Sequence, residues 1–306
     1  KGEPNQLHSA IDFNENTASD FCYFGSPLGV RGGVVGGIEK PLVLLIEDNA
    51  DVVNYLQTCL APTYQTQVAR NGKIGVELAL EHIPDLIITD VMMPEKDGYQ
   101  VCDLLKNDER TSHIPILILT AKADAASRMT GLRRGADAYL AKPFDVEEML
   151  VQLERLLANQ QRIAAHFSKI MQIGEAAQPQ ISAGEIQASG LPGQALQEAV
   201  QVEDAFLQKV KSIVEANYSK EDFALPQLCR SLGMSRSQLF RKMKAVADTS
   251  PADLIRSHRL HKAKSLLENS SLTVSEVAWQ VGFKDLSHFS RAYQEAFGTT
   301  PSGTRK

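Results

Sequence analysis

Short apolar runs, each ending in a polar or charged group, recur along the first half of the chain: LVLLIED over 42–48, DLIITD over 85–90, IPILILT over 114–120 and AYLAKP over 138–143. Continuous runs of this length predict strands buried on both faces, as in a parallel sheet. Between them the apolar period lengthens to that of a helix, near 50–61, 72–82, 98–108, 123–134 and 146–158. Strands alternating with helices predict an α/β sheet covered on both sides. The last of these helices opens on Asp145 and Glu148, a variant of the capping box.

From about Val202 the pattern is helical throughout. LPQLCRSLGMSRSQLFRKMKAV (225–246) reads as a helix, a turn at Leu232-Gly233-Met234, and a second helix opened by the capping pair Ser235 and Gln238. TVSEVAWQVGFKDLSHFSRAYQEAF (273–297) repeats the plan: Thr273 and Glu276 cap a helix, Gly282 turns the chain, and a helix follows from about Asp285. Two helix-turn-helix units are thus expected, joined by a long helix that Ser250-Pro251 opens with proline at the tolerated first position. Ile255, Leu260, Ala263, Leu266 and Leu267 form its apolar face, and Trp279, Phe283, Phe289 and Phe297 are expected in the core.

Composition changes the picture mainly when split. The whole chain carries a formal net charge of −5 over 306 residues. Residues 42–158 hold eleven basic and eighteen acidic side chains, a net of −7, whereas residues 201–306 hold sixteen and eleven, a net of +5. A basic helical part beside an acidic α/β part points toward nucleic acid as partner of the first. No run approaches the roughly 20 apolar residues of a membrane helix, and no signal-peptide pattern opens the chain. Cys22, Cys59, Cys102 and Cys229 lack metal-ligand spacing and read as free thiols in a reducing cytoplasm. The chain begins at Lys1, so a longer parent protein is expected. Residues 1–41, glycine-rich after Gly25, read as a flexible segment, and 159–202 as a helix extension followed by a loose linker from about 172.

The polar groups that end the strands carry the candidate chemistry. Ligands of an open α/β sheet bind at the carboxyl ends of its strands. Glu47, Asp48, Asp90, Thr120 and Lys142 would all meet there. Clustered carboxylates suit a hard cation such as Mg²⁺; a hydroxyl and an ammonium suit phosphoryl oxygens. Residues 42–158 resemble the receiver domain of two-component response regulators. The resemblance is carried by IEDN, TDVMMPEKDGYQVC, LILTAKAD and GADAYLAKPF, and by the spacing of Asp48, Asp90, Thr120 and Lys142.

It implies a flavodoxin-like, doubly wound, five-stranded parallel sheet. Asp90 would be phosphoacceptor, with Mg²⁺ held by Glu47, Asp48, Asp90 and the Met92 carbonyl. Lys142 would bind a phosphoryl oxygen, and Thr120 and Tyr139 would form the switch. Tyr139 could equally be core filling.

Residues 203–306 resemble the all-α DNA-binding domain of AraC/XylS-type activators. GMSRSQLFRKMK, SPADLIRSHRLHKAKSLL and VSEVAWQVGFKDLSHFSRAYQEAFGTTPS carry the likeness, although the ending PSGTRK lacks the aromatic usual after Pro-Ser. The likeness implies DNA contact by Arg236, Gln238, Arg241 and Lys242 in the first unit and by Lys284, Ser287, His288 and Arg291 in the second. Gln238 could be spent on its cap, and Arg241 or Lys242 could face water.

The expectation is a transcription regulator in which a histidine kinase, separate or in the same polypeptide, phosphorylates Asp90 and so controls binding to double-stranded promoter DNA. The chain would be the C-terminal part of a hybrid two-component protein, cytoplasmic, non-enzymatic in this portion, without membrane contact, and a homodimer when phosphorylated. RNA polymerase is a possible further partner. Two other classes remain open. One is a signalling scaffold whose helical part binds protein. The other is an aspartate-nucleophile phosphatase, disfavoured because the general-acid position two residues after Asp90 is Met92.

Overall fold

The computed structural model describes residues 40–121, 136–173 and 193–305. The first part is a five-stranded parallel sheet of β1 (Leu42–Ile46), β2 (Gln65–Ala69), β3 (Leu86–Asp90), β4 (Ile116–Thr120) and β5 (Ala138–Ala141), in the order β2-β1-β3-β4-β5. Helices α1 (Ala50–Leu60), α2 (Gly72–His82) and α3 (Gly98–Lys106) connect the strands. The expected helix at 123–134 lies outside the described residues.

The strand runs were readable because β1, β3 and β4 are buried nearly throughout. Strand β2, QTQVA, is one of the two edge strands; only its Ala69 is fully buried, so it carries no apolar run. One sheet face packs Leu44, Ile46, Ile87, Ile116 and Ile118 against α2 and α3. The other packs Val43, Leu45, Ile88, Leu117 and Leu119 against α1 and α4 (Val146–Ile173). Alternate residues of each strand serve opposite faces, as the period of two requires.

Helix α4 runs for 28 residues, about 42 Å at the α-helical rise. Met149, Leu153 and Leu156 sit in the sheet core, while Phe167, farther along the same helix, sits in a second core. That second core gathers Phe206, Leu207, Val210 and Val214 of α5 (Gly193–Asn217), Leu228 and Leu232 of α6 (Leu225–Leu232), and Leu239, Met243 and Val246 of α7 (Arg236–Ala247). The helix extension past residue 158 is therefore real. Helix resumes at Gly193, inside the stretch expected as a loose linker up to about 200, and residues 174–192 lie outside the described residues. Residues 40–306 cluster as one compact unit.

Helix α8 (Pro251–Asn269) connects the two helix-turn-helix units, and α9 (Val274–Gln280), α10 (Leu286–Phe297) and α11 (Pro301–Thr304) complete the chain. Ser235–Gln238 and Thr273–Glu276 form full capping boxes, and Ser250 and Asp285 cap α8 and α10. Gly233 and Gly282 take the left-handed conformation at the two turns (φ 66° and 86°). A side chain at Gly282 would also strike the Tyr218 carbonyl. Ile255, Leu260, Ala263 and Leu267 are buried as the helical spacing requires.

Trp279 departs from the expected core: it is 62% exposed, whereas Phe283 and Phe289 are buried. It occupies the outer face of α9, whose inward positions are Val277 and Ala278. The tail without its aromatic is nonetheless held by a Thr300 cap, buried Pro301, and Arg305 donating to the Ser271 carbonyl at 3.0 Å.

Candidate functional site

The strand order reverses between β1 and β3, and the crevice at such a switch point is where doubly wound sheets bind ligands. Chain geometry brings the expected groups there. Glu47 and Asp48 follow β1, Asp90 ends β3, Thr120 ends β4, and Lys142 follows β5. One oxygen from each of Glu47, Asp48 and Asp90 lies within 4.8 Å of the others. The Lys142 Nζ lies 2.8 Å from Glu47 Oε2 and 3.2 Å from Asp90 Oδ1, so one ammonium bridges two of the acids.

Each group is held from behind. The Glu47 amide donates to the Ala69 carbonyl at 3.0 Å, and its Oε1 accepts from the Asn49 amide at 3.2 Å. The Lys142 amide donates to the Thr120 carbonyl at 2.7 Å, which fixes the hydroxyl and the ammonium to neighbouring strand ends. The Val91 amide donates to Leu119 and the Gly98 amide to Val91, so the chain turns tightly after Asp90. Gly98 is required there: a Cβ would come within 2.3 Å of the Asp90 carbonyl oxygen.

Burial raises the Glu47 carboxyl above its ordinary range, and Lys142 opposes that rise. Glu47 and Asp90 are buried and Asp48 is exposed, so the site has a closed floor and an open mouth. Three hard oxygen ligands and an open side fit a Mg²⁺ that retains waters. Tyr139, opposite Ile118 on β5, is partly buried against the sheet core, the placement that core filling also predicts. The Met92 side chain is 75% exposed and brings no acid to the site.

The basic side chains of the helical part divide into two groups. Lys284, Ser287, His288 and Arg291 are all exposed, at the start and along the outer face of α10. Lys284 lies 3.4 Å from Asp222, an exposed pair that costs little to break. The first unit differs. Arg236 is exposed, but Gln238 Nε2 donates to the Leu80 carbonyl at 2.7 Å, and Arg241 Nη1 donates to the His82 carbonyl, both at the end of α2.

Lys242 is a correction. Its Nζ is buried 2.8 Å from Glu203 Oε2 of α5 and 4.6 Å from the Phe206 ring centre. Burial pulls its pKa down and Glu203 pulls it back up. It sits one position before Met243 on the inward face of α7, so in this arrangement it does not face DNA. Sequence reasoning missed Glu203. The signal was an acid at 203 amid the apolar face of Phe206, Leu207 and Val210. His258 on α8 places its Nε2 2.7 Å from Glu215 Oε2 and packs on the Tyr218 ring.

Family comparison gives a response regulator receiver domain over residues 43–154 and a helix-turn-helix domain over 228–306. "Histidine kinase P4" of Formosa agariphila is 36% identical over 264 residues, covering 86% of this chain but 18% of its own length. The "DNA-binding dual master transcriptional regulator RpaA" of Synechocystis is 42% identical over 137 residues, which is 44% of this chain and 57% of that protein. The receiver domain of a Pseudomonas aeruginosa sensor histidine kinase, crystallised with magnesium in its cleft, aligns at 30% identity and a TM-score of 0.37, covering 39% of this chain and 98% of that one. The chain spans less than two thirds of both curated relatives. The chain is built from a response regulator receiver domain (43–154) and an AraC-type helix-turn-helix domain (228–306).

Proposed function

We propose that this two-component transcription regulator binds promoter DNA through its two helix-turn-helix units under control of a phosphoryl group on Asp90. The observation that carries the reading is the convergence of Glu47, Asp48 and Asp90 within 4.8 Å, with Lys142 bridging two of them. In the proposed transfer, an Asp90 carboxylate oxygen bonds to phosphorus as the nitrogen–phosphorus bond of a kinase phosphohistidine breaks. The imidazole leaves with the electron pair and takes a proton. Lys142 then pairs with a phosphoryl oxygen in place of Glu47, and the Thr120 hydroxyl donates to another.

Glu47, Asp48 and Asp90, with the Met92 carbonyl, would hold Mg²⁺, which neutralises charge on the transferring group. On the DNA side, Arg236, Gln238 and Arg241 serve the first unit and Lys284, Ser287, His288 and Arg291 the second, with α8 setting the spacing between successive major grooves. The histidine kinase belongs to the same polypeptide, as the length of the Formosa relative favours, and the site of action is the cytoplasm. Pairing of two phosphorylated receivers would raise the effective concentration of DNA-binding units at adjacent half-sites.

The test is incubation of the chain with radiolabelled acetyl phosphate and Mg²⁺. Expected is a base-labile protein label, absent in Asp90→Asn and without Mg²⁺. No label, or equal label in Asp90→Asn, overturns the reading.

A further inference from the structure

The last carbonyls of an α-helix lack intrahelical donors and carry the negative end of its dipole. At the end of α2, two of these carbonyls, of Leu80 and His82, take their donors from another domain: Gln238 and Arg241 of α7. These residues are three apart on one helix and therefore share a face. A second contact lies beside the first. Ser112 of the receiver donates to Glu203 Oε1 at 2.6 Å and accepts from Lys242 Nζ at 3.1 Å. At its rim the Lys209 Nζ lies 2.9 Å from Glu109 Oε2.

Sterics argue the same way. A B-DNA major groove is about 12 Å wide and an α-helix with its side chains is about 10–12 Å across. A recognition helix enters that groove alone. Here the face of α7 that carries Gln238 and Arg241 meets the end of α2, so the receiver occupies space that duplex walls would need.

We propose that the receiver clasps the first recognition helix. The helix-end carbonyls of Leu80 and His82 occupy donors that would otherwise meet phosphate or base acceptors, and Ser112 and Lys209–Glu109 hold the clasp shut. α10 has no such cover among the described residues. The two units are thus unequally available, and opening the clasp converts a one-unit contact into a two-unit one. Helix α4, shared by the receiver core and the core beneath α7, is the element through which a change at the sheet reaches the clasp. This inference rests on the assignment of α7 to DNA; it does not require that Asp90 be the trigger.

The test uses the full chain and a mixed-sequence duplex of about 30 base pairs, long enough for two helical turns, at low salt and without phosphodonor. Ser112→Trp wedges the clasp at no change in charge. Glu109→Lys replaces attraction to Lys209 by repulsion; its control is Glu147→Lys, the same charge change at an exposed receiver position. Expected is about tenfold tighter binding for Ser112→Trp. Glu109→Lys should bind roughly two- to fivefold tighter than its control. Beryllium fluoride, a phosphoryl mimic, is then added to wild type. Variants that bind no tighter than wild type and control, beside a wild type that does respond to the mimic, overturn the clasp and leave control by Asp90 standing. Tighter variants beside an unresponsive wild type uphold the clasp and instead count against Asp90.

Discussion

At the scale of single residues, the receiver pocket was legible and the buried lysine was not. Glu47, Asp90, Thr120 and Lys142 end apolar runs, and the chain has little freedom about where a strand end points. Lys242 sits in the stretch RKMK, where one-dimensional charge says basic surface, but the helical period turns it inward to Glu203. Removing one partner of a buried pair strands the other, so Lys242→Ala is expected to lower stability by about 3–5 kcal/mol. Lys242→Met together with Glu203→Leu should recover most of it. Urea unfolding of the three proteins checks this, and a double variant as unstable as the single one contradicts the packing. Gly98→Ala is a second residue-scale case. Its Cβ would be 2.3 Å from the Asp90 carbonyl oxygen, and both neighbouring groups are backbone. An expected loss of about 1–3 kcal/mol follows from the forced shift, together with slower labelling of Asp90.

At the scale of elements, capping residues located the helices of the DNA-binding part well, since Ser235, Ser250, Thr273 and Asp285 all cap as their neighbours imply. Edges were harder. Strand β2 has no apolar run because only Ala69 is fully buried there, and α4 outlasts the receiver because its far end meets a different core. The exposed Trp279 shows the limit of composition: an aromatic on a short helix can fall on either side, and only Val277 and Ala278 define the inner face. The shared helix makes a prediction. Gln161 is exposed on α4 between the two cores. Gln161→Pro breaks the hydrogen-bond ladder at a local cost of about 3 kcal/mol or more while leaving both cores their side chains. DNA affinity should then respond little to beryllium fluoride, as measured by fluorescence anisotropy. A full wild-type response would show that α4 need not be continuous.

At the scale of the whole molecule, receiver and DNA-binding domain share buried surface, which no domain-by-domain reading of the sequence could supply. Residues such as Ser112 and Gln238 lie 126 positions apart and carry no mark of their proximity to one clasp. The shared surface also titrates. His113 Nδ1 is shut off from solvent near Lys242 and Lys106, and burial foremost, then those two ammoniums, hold its pKa well below 6.5. Burial likewise lowers His258, against the pull of Glu215. Below about pH 6.5 the unfolded chain binds protons that the folded chain refuses. The stability these neutral imidazoles contribute is therefore complete above that pH and is lost as pH falls through 6.5 toward the folded values. The slope is up to about 1.4 kcal/mol per pH unit for each group. Urea midpoints should fall between about pH 7.5 and pH 5.5, less steeply in His113→Asn. An equal fall in both proteins removes His113 from the account.

The most direct test of the central claim is a duplex titration of the whole chain with Mg²⁺, with and without beryllium fluoride, in wild type and Asp90→Asn. The account predicts tighter binding on addition of the mimic to wild type and no change in Asp90→Asn. Equal affinity in wild type with and without it, or an equal gain in Asp90→Asn, would contradict control of DNA binding by the Asp90 carboxylate.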